Sequence, residues 1–400
     1  MTTAAIFVRE RTDWAGVLTV VAAGVVAAMQ VGKGLIAGPL LQSDLGLDLS
    51  ALGWITSVFA IVGVVGGMVA GAIVAAAGDR RLLGAGMAML ALGSFAGAAT
   101  HAFTLLLLSR IFEGFGFLLV VVAGPAILMR LVSTDRRDLV FSLWSCFMPA
   151  GMAAAMLIGP FFADWRSIWW SNGLITFASL LSVFLAVSPP RETADSAASF
   201  RNDAAETLAS RGPVLLFVLF SLFSLMSFTL SSFLPILLVE RLNVPLATVG
   251  IISAVITLVN VVGNLAAGHM LSRGFARGRL IATAAVLMGA SGLWIFLGQS
   301  GDVLTVGLCL LFSAIGGVIP ATLISSVPIL SPRPALAPMA MGLLMQGSNL
   351  GQLVGPVAVG TAIELYGWAS GAAFIGVGAL FCILLSSTLE RTLQSKAQRK

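Results

Sequence analysis

The chain has 400 residues, 58% of them hydrophobic and 10% charged, where a water-soluble domain runs at about 45–50% and about 25%. That balance excludes an ordinary soluble enzyme. The formal net charge of +5 is then read as a matter of membrane orientation, and no nucleic-acid partner is expected.

Apolar spans of roughly 20 residues, the length that crosses the hydrocarbon of a bilayer, begin near Trp14, Leu52, Leu82, Thr104, Leu139 and Ile168. After a polar interruption they begin again near Pro213, Thr248, Leu280, Val303, Pro338 and Ala369. The expected fold class is therefore an all-α membrane protein with twelve transmembrane helices in two six-helix halves. Glycine, at 44 residues, suits helices that pack closely in lipid, whereas a β-barrel would need short alternating segments. The polar first 13 residues lead into span one with no small-residue cleavage pattern, so a retained first span is expected. Cys146, Cys309 and Cys382 lie inside apolar spans without CxxC spacing. They read as buried small hydrophobes, with no metal site or disulfide framework.

The interruption carries seven charged residues, from Arg191 to Arg211, too many for lipid. It divides the chain into an N-terminal six-helix half (1–187), a linker (188–212) and a C-terminal half with its tail (213–400). A short surface helix is expected around Asp203–Ala209. With the N-terminus cytoplasmic, the loops and tails on that side hold 18 of the 22 Lys and Arg residues. The excess of positive charge on cytoplasmic loops thus places both termini in the cytoplasm of a bacterial inner-membrane protein.

The halves share spaced features. Span five carries Gly151, Ala155, Gly159 and Pro160, and span eleven carries Gly347, Gly351, Gly355 and Pro356, each pair 196 residues apart. Gly71 and Gly268 precede basic turns at an offset of 197. Small residues every fourth position let helix backbones approach, and the proline after the glycine is expected to bend the helix near its outer end. Six-span repeats are a signature of transporters whose halves rock about a central site. Gly71, Gly159, Pro160, Gly268, Gly355 and Pro356 are therefore the expected packing and hinge positions.

With these features the chain resembles the major facilitator superfamily over its whole length. That family's signature between spans two and three is Gly-x-x-x-Asp-Arg-x-Gly-Arg-Arg. Gly71 and Gly78 fall on its glycines, Asp79 and Arg80 on its last two basic positions, and Ala75 and Ala76 where Asp-Arg is expected. The second copy keeps Gly268, Ser272 and Arg273. Leu108–Gly116 is similar to the fourth-span motif, with Arg110 on its arginine, and Trp165-Arg166 matches the pattern after span five. Gly38-Pro39-Leu40-Leu41 with Asp44-Leu45-Gly46-Leu47 is similar to the cyanate permease-like group, and Gly159-Pro160 to part of the antiporter motif of drug exporters. The resemblance implies that spans one, four, seven and ten line a central cavity.

Charges inside lipid spans are costly and usually face a cavity or a partner. Three stand out: Lys33 in span one, and Arg110 and Glu113 in span four. Lys33 and Glu113 fall at similar depth, roughly 12–14 Å from the outer surface at 1.5 Å per residue. Arg110 and Glu113, three apart, can pair along their own helix. Either a structural ion pair or a substrate and proton role fits these residues. Gln346, Asn349 and Gln352 share one face of span eleven, within about 120° on a helical wheel and nearly opposite its glycines. Gln30 could join them from span one. Asn260 and Asn264 in span eight suit interhelical hydrogen bonding.

No phosphate-cradling Gly-x-x-x-x-Gly-Lys-Ser/Thr loop occurs, so direct ATP hydrolysis is not expected, nor is any enzymatic activity or cofactor. The expected function is secondary active transport by alternating access. The preferred version is uptake of a small organic anion or polar heterocyclic nutrient, with Gln30, Lys33, Arg110, Gln346, Asn349 and Gln352 binding solute and Glu113 carrying a coupling proton. A monomer in the lipid bilayer is expected. The alternatives are a proton-driven drug or metabolite efflux antiporter and, from another class, a non-transporting membrane sensor.

Overall fold

The computed structural model describes residues 12–47, 49–189, 200–242, 246–298 and 301–398. Arg9 and Arg11, linker positions 190–199 and the last two residues, all drawn on for the orientation or linker expectations, lie outside the described residues. The helices are α1 (Trp14–Ile36), α2 (Gly38–Leu45), α3 (Leu49–Ala77), α4 (Asp79–Ala99), α5 (Phe103–Leu131), α6 (Arg137–Ser145), α7 (Phe147–Ile158) and α8 (Trp165–Ala186). There follow α9 (Phe200–Ala209), α10 (Arg211–Leu242), α11 (Leu246–Ser272), α12 (Arg277–Leu297), α13 (Asp302–Gly316), α14 (Val318–Leu330), α15 (Ala337–Tyr366) and α16 (Ala369–Ala397). No strand occurs among the described residues. Ten segments are long and apolar enough to cross a membrane, with α6–α7 and α13–α14 each counted as one. At 29 and 30 residues, α3 and α15 have the length for the other two spans.

Helix ends follow local chemistry. Asp13 caps α1 by accepting from Gly16 N at 3.1 Å, and Asp164 caps α8 by accepting from Ser167 N at 2.8 Å, satisfying donors that an N-terminus leaves free. Gly78, between α3 and α4, has φ 90°, and Gly274, between α11 and α12, has φ 81°. Both are left-handed turns that favour glycine, and they stand 196 residues apart, so the repeat extends to backbone conformation.

Three spans are broken, each with a proline shortly after the break. A proline ring clashes with the carbonyl four residues back. Pro149 does so at Ser145, where α6 ends, and Pro320 does so at Gly316, where α13 ends. Pro39 follows the α1–α2 break at Ala37. The Gly-Pro pairs differ between copies. Gly159 and Pro160 turn the end of α7 into a single 3-10 turn, Gly159–Phe161. By contrast, α15 runs on through Gly355 and Pro356.

The end of the molecule carrying the described termini is tied together by polar contacts. Asp13 N donates to Leu131 O at 3.0 Å, Lys396 Nζ to Ser331 O at 2.6 Å, and Arg130 Nε to Asp79 Oδ2 at 2.7 Å. Arg333 joins the turn before α15 to Asp203 and Glu206 on α9, each at 2.7 Å. Between the helices before and after the linker, α3 packs on α15, and α6 packs on α11 and α14. Arg277 Nη2 crosses to Asp138 Oδ1 at 2.7 Å at this same end.

Candidate functional site

The buried charges meet in one cluster built by α1, α4, α5 and α8. Lys33 Nζ donates to Glu113 Oε1 at 2.7 Å and to Ser94 Oγ, and lies 4.6 Å from the centre of the Trp169 ring. Arg110 donates to Glu113 Oε2, to the backbone O of Gln30 at 2.9 Å and to that of Ile55 at 3.3 Å. Its guanidinium sits 4.6 Å from the centre of the Phe59 ring. Gln30 donates to Thr176 Oγ1 at 2.7 Å and accepts from Ser94 Oγ at 3.2 Å. Gln30, Lys33, Arg110 and Glu113 are all 0% exposed, so the cluster is sealed.

The glycines of α4 make room for it. A Cβ at Gly93 would lie 2.6 Å from Glu113 Cγ, and one at Gly97 would lie 2.8 Å from Ser109 Oγ. With these positions bare, α5 approaches closely enough to bring its carboxylate between two cations. The carboxylate offers acceptor lone pairs to both, which is what compensates charges held out of water.

A cavity of about 170 Å³ lies at mid-depth between the two halves. It is separate from the charged cluster. Lys33, Arg110, Glu113 and Gln30 do not line it, and no Asp, Glu, Lys, Arg or His does among its described lining residues. From the C-terminal half, Asn349 and Gln352 on α15 and Asn260 on α11 reach its wall. Gln346 instead donates to Val64 O of α3 at 2.7 Å, which makes it a contact between halves. The six expected solute-binding residues are thus divided among the cluster, the cavity wall and the α3–α15 contact.

Two rings separate cluster from cavity. Phe59, beneath Arg110, stands 5.0 Å centre to centre from Phe117, and Phe117 is a lining residue. Phe117 lies one turn along α5 from Glu113. Two of the broken spans also reach the cavity, with Pro149 and Pro320 on its wall. Irregular backbone at membrane depth is tolerated where it lines such a space.

The packing positions make close contacts. A Cβ at Gly347 or Gly351 would overlap the carbonyl oxygens of Phe217 and Ser221 on α10, and one at Gly355 would lie 3.1 Å from Leu225 O. Gly159 backs onto Ile36, and Gly268 abuts Ser142 of α6 across the halves. Gly71 lies within α3. The side-chain surroundings of Pro160 and Pro356 lie outside the described residues.

The sequence reading missed Ser94, Trp169 and Thr176 around the charges, and Ser224, Ser227 and Ser231 on the cavity wall. The last three recur at helical spacing along α10, a signal visible in the sequence. Nothing local in the sequence marks the first three.

Residues 20–339 match the family description Major Facilitator Superfamily. The chain belongs to that superfamily. Among curated relatives, the "efflux pump terG" of Aspergillus terreus is 32% identical over 121 residues, covering 29% of this chain and 23% of the relative. The "3-(3-hydroxy-phenyl)propionate transporter" of Escherichia coli is 28% identical over 229 residues, covering 55% and 56%. The matched stretches therefore span at most about half of these relatives' lengths. Among solved structures, the human organic anion transporter MFSD10 (TETRAN) aligns with TM-score 0.82 at 19% identity, over 94% of this chain and 100% of its own. The proton:xylose symporter XylE aligns with TM-score 0.77 at 13% identity, over 93% and 94%. These two likenesses concern the fold. As a superfamily member the chain is a multi-pass membrane protein.

Proposed function

We propose that the chain is a proton-coupled secondary transporter that carries a small organic solute through the central cavity by alternating access. In this reading the halves 1–187 and 213–400 rock about the cavity, the linker 188–212 joins them, and both termini face the cytoplasm of a bacterial inner membrane. The observation that carries the reading is Glu113. It is the carboxylate of a sealed cluster one turn from a cavity-lining ring, held by Arg110 of its own helix and by Lys33 of α1, whose grip a movement of α1 against α5 would change. Lys33, Arg110 and Gln30 then serve coupling, and Asn349 and Gln352 serve the solute. Of the sequence alternatives, the uncharged wall favours a polar heterocyclic solute over an organic anion.

The test uses Glu113→Gln in proteoliposomes, scored first for exchange with each of a panel of unlabelled solutes. The variant should lose proton-driven accumulation and keep exchange of solute down its own gradient. Accumulation at the wild-type level would remove Glu113 from coupling, and a wild-type chain that exchanges no solute would favour a sensor.

A second reading, proton-driven efflux, draws on the same apolar cavity and on the printed function of the Aspergillus terreus relative. The two readings differ in the direction of net flux under an imposed proton gradient.

A further inference from the structure

The cavity wall has a chemistry of its own, and it bears on which solutes can occupy it. We propose that the solute is an uncharged single-ring aromatic compound carrying a hydrogen-bond donor, of the phenol type. This rests on the reading of the cavity as the solute site and narrows it.

Charge is the first constraint. No ionisable side chain lines the space among the described residues, and the two cations nearest in the sequence reading spend their hydrogens on Glu113, Ser94 and backbone carbonyls. A carboxylate or an ammonium held here would give up part of its hydration and find no charged partner among the described lining residues, which is unfavourable. Size is the second. An apolar cavity of about 150 Å³ accepts benzene, and this one measures about 170 Å³.

Shape and polarity divide the wall. The N-terminal half supplies Phe117, Phe147, Met148 and Met152 with a single hydroxyl, Ser145. The C-terminal half supplies hydroxyls on four helices besides its phenylalanines. The hydroxyl hydrogens of Ser231 and Thr257 are already committed to backbone carbonyls one turn back: Ser231 to Ser227 O at 2.9 Å and Thr257 to Ser253 O at 2.8 Å, while the Ser224 and Ser348 hydroxyls pair with each other at 3.1 Å. Ser145 likewise donates to Ser142 O at 2.7 Å. A hydroxyl has one donor and two acceptor lone pairs, so with their donors spent Ser231 and Thr257 offer acceptors, whereas donors on the wall come from the amides of Asn260, Asn349 and Gln352. Ser231 and Thr257 line the same cavity as the Phe117 and Phe147 rings. An O–H or N–H of the solute placed against Ser231 and Thr257 completes a hydrogen bond, whereas an ether oxygen placed there would face lone pairs.

The test is a binding series on the purified full-length chain with four probes of similar size: 3-methylphenol, its isomer methoxybenzene, benzoate and benzylammonium. 3-Methylphenol should bind about tenfold more tightly than methoxybenzene, the worth of one net hydrogen bond, and the two ions should show no saturable binding. In the double variant Ser231→Ala, Thr257→Val the phenol-to-ether ratio should fall toward one while the unfolding midpoint stays near that of the wild type. Should the double variant fail to fold, Thr257→Val alone, isosteric with the native residue, should lower the ratio by at least threefold. Tighter binding of either ion, equal binding of phenol and ether, or no saturable binding of any probe would overturn the proposal. The transport reading is scored separately by counterflow. Exchange of a charged solute through this cavity would sink the solute class alone, and a chain that binds 3-methylphenol but exchanges nothing would sink the transport reading alone.

Discussion

Glu113 is the residue on which the buried charges depend. Two cations and one carboxylate share a site with no exposure to solvent. Removing one partner of a buried pair costs about 3–5 kcal/mol, because the other is left uncompensated. Glu113→Gln should therefore lower the unfolding midpoint of the purified protein, and adding Lys33→Gln should restore much of the loss. A midpoint unchanged by the single substitution would mean that the cluster does not carry the charges assigned to it. A second pair, at the opposite end of the molecule from the termini, ties α2 to α8. Asp44 accepts from Trp165 Nε1 at 2.8 Å and from Arg166 Nη1 at 2.6 Å, and those contacts hold its carboxyl below the usual carboxylate range. A depressed carboxyl contributes stability that is present above its unfolded pKa, about 4, and is lost as pH falls through the lower folded value. The stability gap between wild type and Asp44→Asn should thus be flat above about pH 5 and close progressively below about pH 4. A gap that persists undiminished to the lowest accessible pH would contradict it.

Among the elements, the contact between α15 and α10 depends on how close the backbones come. A methyl at Gly351 would overlap Ser221 O, while one at Gly355 has 3.1 Å to Leu225 O. Gly351→Ala should therefore slow transport more than Gly355→Ala, and leucine at 351 should abolish it with most of the protein still folded. Equal, wild-type rates for both alanine variants would mean the crossing tolerates separation. The spans and the spacing of these glycines were legible in the sequence, since length, hydropathy and a 196-residue offset are properties of the chain itself. Every helix that opens a span starts within three residues of its expected position. The breaks at Cys146 and Gly317 were also in reach through Pro149 and Pro320, although a purely apolar reading passes over a proline inside a span. The separation of Lys33 and Arg110 from Asn349 and Gln352 was not legible. It depends on helix rotation and on Gly93 admitting Glu113, which only three-dimensional packing decides.

Taken whole, the molecule has a terminal end laced across its halves by Arg277 and Asp138 and by Gly268 against Ser142, and this end has to part when the cavity turns toward it. The proposed orientation puts that end in the cytoplasm. A cysteine at Gly301 should then react with an impermeant thiol reagent applied to intact cells, and one at Ala204 only after lysis; the reverse pattern would invert the molecule.

The bare wall of the cavity has an electrical consequence. In the proposed cycle a neutral solute contributes nothing to the current, so one co-transported proton makes that cycle electrogenic. Each turnover then draws on the membrane voltage, about 2.3 kcal/mol per elementary charge at 100 mV, enough for roughly 40-fold accumulation with no pH difference at all. Vesicles given a potassium diffusion potential, negative inside, and equal pH on both faces should concentrate the solute, and collapsing the voltage should release it. Accumulation indifferent to voltage would mean that a compensating charge travels with the solute through a cavity with no ionisable side chain among its described lining residues.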